Sequence, residues 1–194
     1  SPDKKPTPGE DNRETVISSI LKGIRPKYIV DLGANAGRYS RLAAKLGARE
    51  VLSIEPDIVA MAKNFLGLQR ERLPIKLLQE GISLTPFDQP GDTAIALALT
   101  HHLFYTENMP FRLIATCLAS YTTQNLVTEF MPHGMSGKDK PDSLPQGYSL
   151  EIFTKQLERH FATVEVIAYP FPADSSPRAL PLCSQQPPNP LADG

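Results

Sequence analysis

The stretch Tyr28-Ile29-Val30-Asp31-Leu32-Gly33-Ala34-Asn35-Ala36-Gly37-Arg38 limits what this chain can fold into more than any other. It opens on an apolar run, residues 28–30, too short for a helix and rich in strand formers. It passes at once into small residues and glycine. Tyr39, Leu42, Ala43 and Leu46 then recur at helical spacing. The pattern is strand, tight turn, helix. Gly33 and Gly37 allow backbone angles and close approaches that a Cβ would block. The helix start beyond them offers free N–H groups and a positive dipole end. A ligand laid over this turn would meet bare backbone, with Asp31 at the strand's end to hold a polar group.

A dinucleotide fingerprint requires G-x-G-x-x-G, and here its second and third glycine positions would be Asn35 and Arg38. The spacing D-x-G-x-x-x-G does fit. In it the stretch resembles motif I of the class I S-adenosylmethionine-dependent methyltransferases, whose loop passes under the methionine and ribose of the cofactor. The resemblance spans roughly residues 10–184. Residues 50–55 read as a second strand ending in Glu55, about 20 residues beyond Gly33, the separation of a glycine turn from a ribose-binding carboxylate. In a right-handed βαβ unit the second strand lies beside the first, so Glu55 is expected next to the turn. Asp57 is expected to cap the following helix.

A third strand is expected at residues 75–79. The resemblance implies that an acid just after it accepts a hydrogen bond from the adenine amino group; Glu80, with Gly81 beside it, is the candidate. Residues 93–99 are continuously apolar, as in a strand buried on both faces of a parallel sheet. They lead into Thr100-His101-His102, at the edge where open α/β sheets bind ligands. The run Leu97-Ala98-Leu99-Thr100-His101-His102-Leu103 is similar to the motif IV region of a subgroup of small bacterial methyltransferases. One histidine is expected to act on the substrate; the alternative is a helix cap or a packing role. Residues 125–131 read as a fifth strand carrying Glu129, followed by Pro132-His133-Gly134, again as in that subgroup. A carboxylate on a buried strand needs a partner, and a histidine of the neighbouring strand is the expected one. No metal is expected, because adjacent histidines on an extended chain point apart and suit a shared ion poorly.

Alternating strands and helices, closed by residues 163–169 and 178–183 as a final strand pair, give an α/β architecture. The expected fold is a doubly wound, Rossmann-like, mainly parallel seven-stranded sheet. By resemblance its last strand runs antiparallel between two others. Pro181 fits such an inner strand badly, because it cannot donate to a ladder. Residues 1–9 read as a flexible lead-in, 10–184 as one cofactor-binding domain, and 185–194 as a Pro-rich tail. Residues 134–147, polar with two prolines, are a long loop or a flap over the substrate side.

The net charge of −1 offers no field for a phosphate backbone, so a nucleic-acid partner is not favoured. No apolar run reaches membrane-spanning length, and no signal peptide is visible. The chain starts at Ser1 rather than Met, as in a processed product or a piece of a longer protein. Cys117 and Cys183 lack metal-ligand spacing and read as buried thiols of a reducing, cytoplasmic setting. The expected activity is S-adenosylmethionine-dependent methyl transfer to a small-molecule or biosynthetic acceptor. Asp31, Gly33, Asn35, Gly37, Glu55, Glu80, Gly81 and Thr100 are the candidate cofactor residues. His101, His102 and Glu129 are the candidate catalytic ones. The substrate side looks thin, so a protein partner or a further domain is expected to complete it. A non-catalytic cofactor-binding scaffold is the alternative; a nicotinamide-dependent enzyme is disfavoured by the failed glycine fingerprint.

Overall fold

The computed structural model describes residues 10–83, 85–134, 143–170 and 178–185. The expected lead-in, nearly all of the tail and the middle of the 134–147 segment lie outside these residues. In chain order the elements are α1 (Glu10–Ile24), β1 (Tyr28–Leu32), α2 (Arg38–Lys45), β2 (Glu50–Ile54), α3 (Ile58–Leu68), β3 (Ile75–Leu78) and β4 (Gly91–Ala96). Then follow α4 (Thr100–Tyr105), α5 (Phe111–Ser120), β5 (Thr122–Thr128), α6 (Leu150–Leu157), β6 (Thr163–Tyr169) and β7 (Arg178–Ser184). The seven strands form one sheet in the order β3-β2-β1-β4-β5-β7-β6. β1 to β5 are mutually parallel, and β7 runs antiparallel between β5 and β6. That is the expected doubly wound architecture.

Strand alternation sends two sets of side chains to opposite faces. Ile29, Val51, Ile95 and Val127 meet Ile17, Ile20 and Leu21 of α1 and Tyr39 and Ala43 of α2. Val30, Leu32, Ala94, Ala96 and Leu126 meet Phe111, Ile114 and Leu118 of α5 and Phe153 of α6. Both faces are therefore covered, as a parallel sheet requires. α1 runs on past Gly23, and Arg25 (φ 54°) takes the left-handed position that ends it before Pro26. Among the described residues no helix is long and apolar enough to cross a membrane.

β7 accommodates Pro181 without shortening. The β5–β7 ladder covers Asn125–Val127 against Ser184–Leu182 and resumes at the Phe130–Ala179 bridge. Ala179 N–H donates to the Phe130 carbonyl, so the missing N–H of Pro181, two residues on, falls on the β5 side, inside this gap. Glu129 lies beside the gap, one residue past the end of β5 rather than within the strand expected over residues 125–131.

β4 ends at Ala96, earlier than the apolar run implies. Ala98 takes φ 51°, outside strand geometry, and the histidines belong to the short helix α4 instead.

Candidate functional site

β1 stands between β2 and β4, where successive connections leave the sheet in opposite directions. This is the switch point at which open α/β sheets leave a crevice. Gly33 (φ 65°) turns the chain beyond β1, and a Cβ there would stand 3.3 Å from Leu99 Cδ1. Ala34 N–H donates to the Ile54 carbonyl at 3.0 Å, joining the turn to the end of β2. Glu55 follows, buried. Its Oε2 accepts the Asn35 N–H at 2.7 Å and its Oε1 the Asp57 N–H at 2.9 Å. Each carboxylate oxygen keeps a second lone pair for a ligand hydroxyl. Asp57 caps α3 through the Val59 and Ala60 N–H groups.

Asp31, the last polar residue of β1, is buried and accepts the Ser40 hydroxyl. Burial raises its pKa to about 6, against the lowering effect of Ser40. Gly37 serves packing. It begins α2 with φ 76°, and a Cβ would lie 2.1 Å from Oδ1 of Asn64, which is itself fixed by Ser53 and Arg41.

Past β4 the expectations change. His101 and His102 are successive residues of α4 with ring centroids 4.1 Å apart, so the picture of two rings pointing apart on an extended chain is corrected. His101 is buried with Nδ1 unpartnered. Burial, with help from His102 and Arg178, lowers its pKa to about 4, and the ring is neutral at physiological pH. His102 is exposed. Thr100 is buried and donates to the Glu129 carbonyl at 2.9 Å, turned away from the crevice.

Glu129 does not pair with a histidine. Its carboxylate, fully buried, accepts Arg13 (3.2 Å), Arg178 (3.3 Å), the Tyr169 hydroxyl and the Ala98 N–H (2.8 Å). Two cations hold one anion here, Arg13 from α1 and Arg178 from the start of β7. Burial alone would depress the Arg13 guanidinium, but Glu129, Tyr39 and Tyr169 outweigh it and hold its pKa above the ordinary value. Arg13 also donates to the Tyr39 hydroxyl at 2.7 Å.

These elements enclose a cavity of about 980 Å³. Asp31, Gly33, Asn35, Glu55, Gly81 and His102 line it; Gly37, Glu80, Thr100, His101 and Glu129 do not. Glu80 is exposed, and Ile82 stands on the wall near the place proposed for it. Arg13 and Tyr39 line the cavity too, unanticipated. Tyr39 passed for a core residue of its helix, and nothing local to Arg13 announces partners more than a hundred residues away. Among the described residues no group of three or more His, Cys, Asp or Glu is placed to hold a metal.

No family model matches the chain. The curated nodulation protein NoeA of Rhizobium meliloti (strain 1021) is 26% identical to it over an alignment covering 60% of this chain and 27% of NoeA. The chain thus spans about a quarter of that relative's length. Among solved structures, the methyltransferase domain of bacterial CtHen1-C superposes with a TM-score of 0.71 at 15% identity, covering 92% of this chain and 99% of that one. The fold is that of the S-adenosylmethionine-dependent methyltransferases. Magnesium protoporphyrin IX methyltransferase from Synechocystis PCC 6803, with S-adenosylhomocysteine bound, shares this methyltransferase fold with a TM-score of 0.71 at 13% identity, covering 95% of this chain and 90% of its own.

Proposed function

We propose that this chain binds S-adenosylmethionine in the cavity and transfers its methyl group to a small-molecule acceptor. The observation that carries the reading is the link between the glycine turn and Glu55. The Asn35 N–H fixes the carboxylate at the cavity wall, where a diol can be held, while Gly33 leaves room above the turn. When bound, the cofactor supplies an electrophilic methyl group. Glu55 accepts the ribose hydroxyls, Asp31 meets the polar methionine head, and Gly81 with Ile82 borders the base. His102 takes the acceptor's proton, because it alone of the two histidines lines the cavity and a neutral imidazole has a nitrogen lone pair to accept it. His101 packs beneath it. A cytoplasmic setting belongs to this reading, supported by two buried, unpaired thiols, Cys117 and Cys183. A partner or further domain over the exposed His102 also belongs to it.

A second reading, a cofactor-binding scaffold without catalysis, is favoured by one feature: among the described residues no carboxylate orients His102, since Glu129 is committed elsewhere. Calorimetric titration with S-adenosylmethionine, S-adenosylhomocysteine and NAD tests the cofactor assignment. The first two are expected to bind with one site per chain and NAD not at all. Binding of NAD alone would replace the reading.

A further inference from the structure

Each of the other charged side chains on the cavity wall is already engaged. Asp31 accepts Ser40; Glu55 accepts two backbone N–H groups; Arg13 is spent on Glu129 and Tyr39; Arg38 pairs with Glu14 at 2.7 Å. Glu107 is the exception. Its carboxylate lines the same cavity, is exposed, and has no hydrogen bond or ion pair among the described residues. Its position is nonetheless fixed. The chain after α4 folds back on the helix through Thr106 and Glu107 N–H to the His102 carbonyl and Met109 N–H to the Leu103 carbonyl. This places Glu107 on the stretch that also supplies His102, Leu103 and Met109 to the wall.

We infer that the acceptor is an amine, held as its ammonium ion by Glu107, with an apolar body against Leu99, Leu103 and Met109. A carboxylate without a partner among the described residues, on a wall whose other described charges are engaged, selects for a cation, and the adjoining apolar side chains favour a hydrocarbon frame behind it. His102, on the same segment, receives a proton from the ammonium: one N–H bond breaks, one forms on the ring, and the amine nitrogen keeps the electron pair. A hydroxyl acceptor can donate one hydrogen bond to Glu107 but brings no positive charge to pair with it.

The inference rests on the methyltransferase reading, and the test separates the two. The full chain is saturated with S-adenosylhomocysteine, and cyclohexylamine and cyclohexanol are titrated by ligand-observed NMR. Cyclohexylamine is expected to bind and cyclohexanol to bind at least fivefold more weakly. Glu107→Gln should lower the amine's affinity by about fivefold and leave cyclohexanol and S-adenosylhomocysteine unchanged, the scale of a solvent-accessible ion pair. Equal binding of the two probes, or an amine affinity indifferent to Glu107→Gln, overturns the amine assignment while the cofactor site stands. Failure of wild-type protein to bind S-adenosylhomocysteine overturns both. Because Glu107 is exposed and makes no side-chain bond to the described residues, the variant is expected to fold, and its unchanged thermal unfolding confirms that.

Discussion

Asp31 keeps its carboxyl almost wholly out of water at the end of β1. Its folded pKa of about 6 exceeds the unfolded value, so the folded state binds this proton more tightly. Stability from the group is fully present below about pH 4 and is lost as pH rises through 6. The shift corresponds to about 3 kcal/mol at most. Asp31→Asn, which cannot ionise, should therefore stabilise the ligand-free protein at pH 7.5 by about 1–3 kcal/mol and have little effect near pH 4. Denaturant unfolding at both pH values measures this; an equal effect at both would show that charge is not the cause. Glu55 differs, because its burial is matched by two N–H donors. Glu55→Ala should weaken S-adenosylhomocysteine binding by roughly 10–150-fold, the scale of lost charge-assisted hydrogen bonds. A calorimetric loss under threefold would make Glu55 a brace for the Asn35 turn and nothing more.

At the scale of elements, the two glycines of one turn do different work. Gly33→Val places a branched side chain at φ 65° against Leu99, on the cavity wall, and should abolish S-adenosylhomocysteine binding in a protein that still folds. Gly37→Ala drives a methyl group into Asn64 and holds it at φ 76°, which should cost about 2–4 kcal/mol of stability through overpacking and left-handed strain. Parallel calorimetry and unfolding of both variants separate the roles; binding lost equally in both would return Gly37 to the ligand side. The sequence made the β1–turn–α2 unit and Glu55 legible because local spacing encodes them. It concealed α4 because the apolar run 93–99 continues past the strand's real end, and only the left-handed Ala98 breaks it. The Pro181 difficulty was visible in the sequence. Its resolution was not, since which neighbour a missing N–H faces depends on a pairing between distant segments.

At the scale of the whole molecule, Glu129 joins parts that the sheet alone leaves separate. Arg13 reaches it from α1, Tyr169 from β6, Arg178 from β7, and the Ala98 N–H from the turn leaving β4. No short-range pattern announces such a junction, which is why a histidine partner was the natural expectation. Ala98 and Arg13 both line the cavity, so the junction sets the shape of one wall without facing the ligand. Glu129→Gln preserves the shape and can still accept the Ala98 N–H, but it removes the buried negative charge that Arg13 and Arg178 share. Removing one partner of a buried ion pair typically costs about 3–5 kcal/mol, and that loss is expected in denaturant unfolding. Cofactor affinity should fall as well, through the loosened Ala98 turn and Arg13. Restoring the electrical balance supplies the decisive comparison. Arg178→Met alone should destabilise less than Glu129→Gln, because Glu129 then keeps Arg13, and adding Glu129→Gln to Arg178→Met should cost less than Glu129→Gln does in the wild-type background. Additive losses would mean that the carboxylate and the two arginines act independently. Full stability with turnover lost in Glu129→Gln would instead return this residue to the chemistry.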